Sequence, residues 1–242
     1  MEVYMFIKSS ELKKNIIYFG LLIIFFASII IFPIFSIELP SITTSNQPND
    51  LPTVIIDPGH GGEDSGTIGT NGKFEKDLNM EISLKLGDYL NASGYNVIYT
   101  RTEDKLLYSE AENIKGFRKI TDLKNRVKIA NSYENAILIS IHMNSFGQSE
   151  CKGLQVYYAE NENSRSLASN IQDSVKNKIQ ATNKRTIKAG KDIYVLENAS
   201  IPAVLIECGF LSNPEECENL SEKEYQKELC FAILCGIIEY SK

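Results

Sequence analysis

Hydrophobic positions along the chain form one long apolar block followed by a series of shorter runs. The block covers 16–37, reads IIYFGLLIIFFASIIIFPIFSI and contains no charged residue. About 20 apolar residues suffice to cross the hydrocarbon core of a bilayer, so the block predicts one transmembrane helix. Lys8, Lys13 and Lys14 precede it. The positive-inside rule therefore places residues 1–15 in the cytoplasm and the rest of the chain on the extracytoplasmic side.

Two alternatives to an uncleaved anchor stay open, a signal peptide cleaved near 41–45 and a buried core helix. A signal peptide has a shorter apolar region and a small-residue cleavage site, and neither is evident here. A core helix needs packing partners, whereas the next segment, 38–50, is rich in Ser, Thr, Asn and Pro and predicts a flexible linker. Residues 51–242 then form the exported domain.

After the linker, short apolar runs alternate with segments of helical spacing. Predicted strands cover 53–57, 95–100, 136–141, 154–158, 193–196 and 203–206, and predicted helices cover 76–92, 121–131, 164–179 and 222–240. Parallel strands need long crossover connections, usually helices. The expected fold is a single α/β domain, with a mainly parallel mixed sheet and helices on both faces. Ligands bind such sheets at the carboxyl ends of the strands.

Charge and cysteine usage narrow the choice of partner and site. A formal net charge of −6 gives no electrostatic basis for binding nucleic acid, so nucleic acid is not an expected partner. The five cysteines lack Cys-x-x-Cys spacing, which argues against a zinc ribbon and against a dense disulfide framework. A single disulfide stays open.

Both histidines of the chain lie at the ends of predicted buried strands. His60 follows the first strand in the segment PGHGG, and His142 ends the third strand in the segment SIHMN. Parallel strands would bring both imidazoles to the same rim of the sheet. A catalytic zinc ion uses three protein ligands and keeps one position open, so a carboxylate is expected to complete the set.

Two glutamates are candidates for the chemistry at this rim. Glu75 starts the first predicted helix, where it either reaches back toward His60 or only stabilises the positive end of the helix dipole. Glu207 directly follows the apolar strand AVLI. A carboxylate is costly to bury unless it is paired or functional, and this position favours a functional role over a structural ion pair.

These segments together resemble the zinc-dependent N-acetylmuramoyl-L-alanine amidases of the amidase-3 type. The matching stretches are IIDPGHGGEDSGTIGTNGKFEKDLN, YNVIYTR, NRVKIAN, ISIHMNS and IPAVLIECGFLSNPEE, which occur in this order between Val54 and Glu216. The resemblance implies one Zn²⁺ ion held by His60, Glu75 and His142, and a catalytic glutamate at Glu207. The long segment 102–120 and the anchor-plus-domain layout are similar to the sporulation-associated CwlD-type amidases.

The resemblance implies a hydrolase acting on bacterial peptidoglycan. Its substrate bond would join the lactyl group of N-acetylmuramic acid to the L-alanine of the stem peptide, in spore cortex maturation. Asn144 shares a strand face with His142 and is expected either to contact substrate or to cap the strand. Arg101, after the second strand, is another expected substrate contact. Two alternatives stay open, a zinc peptidase acting within the stem peptide and a non-catalytic wall-binding protein.

The expected location is the extracytoplasmic face of a membrane, in a spore former the intermembrane space around the forespore. Anchoring raises the effective concentration of a domain at its substrate. No wall-binding module is evident in 51–242, so a regulatory or activating protein partner is also expected.

Overall fold

The computed structural model describes residues 51–242 and, in the N-terminal segment, Tyr18, Phe19, Leu21 and Leu22, which are helical. The predicted cytoplasmic segment 1–15, the linker 38–50 and most of the predicted span 16–37 lie outside the described residues. Among the described residues, no helix is both long enough and apolar enough to cross a bilayer. The chain divides into two compact units, Met1–Pro48 and Asn49–Lys242, and the elements below belong to the second.

The second unit alternates strands and helices, as the hydrophobic pattern predicts. The strands are β1 (Thr53–Pro58), β2 (Val97–Tyr99), β3 (Ala136–Asn144), β4 (Gln155–Tyr158), β5 (Lys188–Ala189) and β6 (Ala203–Phe210). The helices are α1 (Glu75–Ala92), α2 (Arg118–Ala130), α3 (Glu162–Lys178), α4 (Tyr194–Glu197), α5 (Pro214–Ser221) and α6 (Lys223–Tyr240), with a 3₁₀ turn at Glu110–Glu112.

The six strands form one sheet in the order β2-β1-β3-β6-β4-β5. Strands β2, β1, β3 and β6 are parallel, and β4 pairs with β6 in the antiparallel direction. The expected mixed, mainly parallel sheet is therefore confirmed. The carboxyl ends of β1, β3 and β6 lie side by side, because β3 pairs with both of the others.

Both faces of the sheet are covered by helices. Successive residues of each buried strand point to opposite faces, so neighbouring residues belong to different apolar clusters. Val54 and Ile56 belong to a large apolar cluster that includes buried residues of α1, α3, α5 and α6. Ile55 belongs to a second, smaller cluster with residues of α2 and α4. The α1 helix shows the underlying pattern, since its fully buried residues Leu78, Ile82, Leu86 and Leu90 recur every four positions.

The structure differs from the sequence-based expectation in three places. The predicted strand 193–196 is wrong: the strand of this region is Lys188–Ala189, and the apolar run forms the helical turn α4. Short apolar runs do not distinguish a strand from a buried helical turn, and Asp192, with φ of 64°, reverses the chain just before α4. An additional helix, α5, precedes the predicted C-terminal helix. Strands β3 and β6 also extend three and four residues beyond the predicted ends, so His142 and Glu207 lie within them.

Candidate active site

His60 lies in a tight turn that follows β1. Its φ of 60° is in the left-handed region, which histidine adopts more readily than most residues but still rarely. Gly59 lets this turn pass directly beside β3. A Cβ atom at position 59 would lie 2.2 Å from Nε2 of His142, so only glycine leaves room for that imidazole.

Glu75 is the first residue of α1 and points back into the turn. Its Oε1 atom lies 3.1 Å from His60 Nε2 and 3.1 Å from His142 Nδ1. One ligand atom from each of these three residues lies within 4.8 Å of the other two. The structure therefore brings together the three predicted metal ligands, in a donor set of two nitrogens and one oxygen that suits zinc.

The cluster is oriented by further hydrogen bonds. Backbone N–H groups of Thr67 and Met143 donate to the two carboxylate oxygens of Glu75, at 2.9 and 3.1 Å. Asp64 Oδ2 lies 3.0 Å from Nδ1 of His60. In the metal-free protein both ring nitrogens of His60 face carboxylates, Nδ1 facing Asp64 and Nε2 facing Glu75. Once Nε2 loses its proton, the bond from Nδ1–H to Asp64 leaves Nε2 as the nitrogen that would hold a metal ion.

The charges of the cluster support one another. Burial alone would raise the pKa of Glu75, but hydrogen bonds from His142 and His60 outweigh it and hold the pKa far below its usual range. Burial likewise disfavours protonated His60, yet Glu75 and Asp64 outweigh it and raise the His60 pKa. The site therefore already favours positive charge at its centre.

Glu207 lies on β6 directly beside His142 of β3, with which it is paired in register. Burial raises the pKa of its carboxyl to about 7, and the charge of Glu75 adds to this effect while both histidines oppose it. Its Oε2 atom is buried and has no hydrogen-bond partner among the described residues. A half-buried carboxyl with one buried, free oxygen and a pKa near neutrality can take up and return a proton.

A cavity of about 270 Å³ opens beside both imidazoles. Its lining includes Asp64 and Lys119 on one side and Tyr194 of α4 on the other. A larger cavity of about 600 Å³ lies among Lys152, Arg185 and Tyr225 and shares no lining residue with the metal cluster. The smaller cavity therefore borders the metal cluster through its two imidazoles.

Comparison with known proteins identifies the family. A family model described as N-acetylmuramoyl-L-alanine amidase matches residues 54–239. The chain belongs to this family. The resemblance seen in the sequence is thereby confirmed, together with the expected enzyme class and reaction: the chain is an N-acetylmuramoyl-L-alanine amidase.

Three similar proteins refine the comparison. The germination-specific N-acetylmuramoyl-L-alanine amidase of Bacillus subtilis is 38% identical over 192 residues, covering 77% of this chain and 78% of the relative. The uncharacterized protein YqiI of the same organism is 38% identical over 197 residues, covering 80% and 87%. The CwlD amidase of Clostridioides difficile, solved in complex with the GerS lipoprotein, is 41% identical with a TM-score of 0.74, covering 78% and 98%. The expected likeness to CwlD-type amidases is borne out.

The two predicted substrate contacts of this amidase occupy different surroundings. Asn144 is half-buried on the same face of β3 as His142, and its Oδ1 atom accepts a hydrogen bond from the Ser145 backbone at 2.8 Å. Arg101 is only 3% exposed and donates to four backbone carbonyls, those of Pro58, Gly59, Lys76 and Glu103. Substrate contact by Arg101 stays a prediction, and in the structure its guanidinium holds the turn that carries His60.

Sequence reasoning missed three residues that support the amidase site. Asp64 orients His60, and the buried pair Asp57 and Arg126 lies directly behind the turn, with an Nη1–Oδ1 distance of 2.7 Å. A signal was available for Asp57, since it ends the apolar strand TVIID just as Glu207 follows AVLI. The sequence positions of Asp57 and Arg126 give no indication that the two residues form a pair.

Proposed function

We propose that the amidase depends on one zinc ion held by His60, Glu75 and His142. The observation that carries this proposal is the convergence of the three ligand atoms within 4.8 Å. Zinc bound there supplies Lewis-acid chemistry, making water more acidic and polarising the carbonyl of the amide. The residues fit the ion in donor type, in the Asp64 carboxylate that faces Nδ1 of His60 and in the negative charge of Glu75.

Glu207 performs the proton transfers. Its carboxylate accepts a proton from the water that attacks the amide carbon. The same carboxyl returns that proton to the amide nitrogen as the bond between N-acetylmuramic acid and L-alanine breaks. The position of the carboxyl suits both steps, because it lies beside His142 and one of its oxygens has no hydrogen-bond partner among the described residues. Asn144, on the same strand face as His142, is the proposed contact for the substrate beside this centre.

We also propose that the enzyme acts on the cortex peptidoglycan of spores, from an extracytoplasmic position. The germination-specific relative and the apolar block 16–37 support this role and location. After carbonate washing, the full-length protein should remain with membranes, with its C-terminus accessible from outside. A shortened protein in the soluble fraction, beginning near residue 44, would favour cleavage instead.

A protein partner is the third element of the proposal. The similar CwlD amidase was solved with the GerS lipoprotein. In this chain, the segment between β2 and α2 exposes two large apolar side chains, Ile114 at 57% and Phe117 at 61%. Replacing both by Ser should leave the activity of the purified enzyme unchanged and weaken its stimulation by extract from sporulating cells. Equal stimulation of variant and wild type would remove this surface from the proposal.

The reaction is tested by mass spectrometry of purified muropeptides treated with zinc-loaded, full-length protein. We expect intact stem peptides with a free L-alanine amine, together with glycan that has lost its peptide. Shortened peptides still attached to glycan would instead indicate a peptidase acting within the stem. His142→Ala is the matched control, because it removes one of the only two histidines and should abolish both zinc binding and product.

A further inference from the structure

The backbone of the turn that carries His60 is bonded to two buried arginines. Arg126 donates to the carbonyls of Pro58 and His60, both at 2.7 Å. Arg101 donates to the carbonyls of Pro58 and Gly59, both at 2.9 Å. Three consecutive carbonyl groups of the turn thus accept hydrogen bonds from guanidinium groups.

Both arginines are 3% exposed and come from different elements of the fold. Arg126 is on α2, and its charge is balanced by Asp57 and Asp122, each at 2.7 Å. Arg101 follows β2 and has only backbone carbonyls as hydrogen-bond partners in the described structure. Burial lowers the Arg101 pKa to about 10, aided by Arg126 and opposed by nearby acids, so the group stays charged at neutral pH.

The turn needs this support for two reasons visible in its backbone. His60 has a left-handed φ of 60°, which is unfavourable for a residue with a side chain unless its surroundings enforce it. Gly59 passes so close to His142 that the space of a methyl group is already occupied by the imidazole. A small shift of the turn would move His60 away from Glu75 and press Gly59 against His142.

We propose that Arg126 and Arg101 are positioning residues that fix the metal-binding geometry of His60 by holding the carbonyls of Pro58, Gly59 and His60. In the described structure they make no hydrogen bond to a ligand side chain, and they act through the backbone. This inference rests on the proposed zinc centre and adds a cause for its geometry. A planar guanidinium suits the task, since it presents several N–H donors in a fixed fork, whereas a lysine ammonium is a point charge without that fork.

The test measures zinc affinity and thermal stability separately in full-length Arg126→Lys and Arg101→Lys. Each change keeps the positive charge and removes the fork. Zinc dissociation constants are obtained by competition with a chelator, and melting temperatures are measured on metal-free protein. We expect the zinc dissociation constant to rise by about 10- to 100-fold in each variant, the range seen when residues that orient metal ligands are changed.

Ile233→Ala is the matched control. Ile233 is fully buried in the apolar cluster on the side of α1, α3 and α6, so its truncation lowers stability without touching the turn. We expect the control to melt earlier yet bind zinc like the wild type. If Arg126→Lys fails to fold, Arg101→Lys carries the test, because its change leaves no carboxylate without its direct partner.

The outcomes separate this inference from the proposed function. Wild-type zinc affinity in every arginine variant that folds would overturn the positioning role and leave the zinc centre standing. A loss of affinity in Ile233→Ala as large as in the arginine variants would also overturn it, because general destabilisation would then suffice. A wild-type protein that binds no zinc would instead reject the proposed function.

Discussion

Asp57 and Glu207 occupy two regions at the same end of the sheet, on β1 and β6 at either side of β3. Asp57 is paired with Ser140 and Glu207 with His142, two residues farther along β3. Asp57 accepts hydrogen bonds from Arg126, Thr100 and Ser140 at 2.6 to 2.7 Å. Glu207 retains a buried oxygen without a partner among the described residues.

The two carboxyl groups differ in pKa because their partners differ. Burial alone would raise the pKa of Asp57, but Arg126 and two hydroxyl groups outweigh it and lower the pKa. Glu207 has no such donors, and burial raises its pKa to about 7. Burial alone therefore does not distinguish a structural carboxyl group from one that transfers protons. The hydrogen-bond donors around the carboxyl group make the difference.

Among the changes to carboxyl groups, the largest expected effect comes from Glu207→Gln. An amide cannot accept the proton of water, so turnover should fall by about 10²- to 10⁴-fold, the usual contribution of general acid–base catalysis. Zinc occupancy should stay near the wild-type value, since Glu207 is not among the three clustered ligands. Both quantities are measured on the same preparation, by product release and elemental analysis. Loss of zinc in this variant would instead indicate that Glu207 is a metal ligand and would contradict its role in proton transfer.

The same acid-to-amide change at Asp57 should give the opposite pattern. Asp57→Asn leaves the buried Arg126 with one carboxylate fewer, and breaking a buried ion pair typically costs about 3–5 kcal/mol of unfolding free energy. Turnover per zinc-bound molecule should fall less than in Glu207→Gln. Urea unfolding and turnover, normalised to bound zinc, check both statements. An Asp57→Asn protein as stable as the wild type would contradict the structural assignment.

A third carboxylate, Asp64, lies between these extremes because it orients His60 and also faces Lys119 at 2.7 Å. Asp64→Asn should weaken zinc binding by about 10- to 100-fold while leaving the three ligands in place. Lys119→Ala is the control. It removes the exposed partner of Asp64, and such surface pairs contribute about 1 kcal/mol or less. Equal zinc affinities in the two variants would show that Asp64 does not act through His60.

The sequence predicted the functional side chains at the ends of strands better than the side chains that hold those functional residues in place. His60, His142 and Glu207 could be placed at one rim because apolar strands in an α/β pattern put their carboxyl ends together. Glu75 could not be assigned from position alone, and the family resemblance decided it. The bonds of Arg126 and Arg101 to the turn were not predictable, because they join α2 and the end of β2 to β1 across long sequence separations.

Local ambiguity explains the remaining differences in the fold. The run Ile193 to Leu196 is apolar and β-branched enough to suggest a strand, yet it is too short to settle between strand and helical turn. The ends of β3 and β6 were underestimated because His142 and Glu207 are polar and interrupt the apolar pattern. At a functional rim, polar residues continue a strand that the hydrophobic pattern alone would end.

The smallest expected effect is a difference in how stability depends on pH in the metal-free protein. For Glu207 the folded pKa of about 7 lies above the unfolded value of about 4.3, so the native state binds more protons between these values. Its contribution to stability is therefore lost as pH rises from about 4.3 to about 7. Asp57 has the opposite sign, because its lowered pKa favours the folded state at any pH above its unfolded value of about 3.9.

Comparing the wild type with Glu207→Gln isolates the Glu207 contribution, because Asp57 and the cluster histidines are common to both proteins. The free energy of unfolding of Glu207→Gln, relative to that of the wild type, should increase between about pH 5 and about pH 8. One pKa unit corresponds to about 1.4 kcal/mol, and partial solvent access to the side chain reduces the expected gain to about 1–2 kcal/mol. Unfolding of both proteins in a chelator, followed by circular dichroism, measures it. The same difference in unfolding free energy at both pH values would mean that the Glu207 carboxyl has the same pKa in the folded and the unfolded chain. Glu207 and Asp57 would then differ in geometry but not in the direction of a pKa shift.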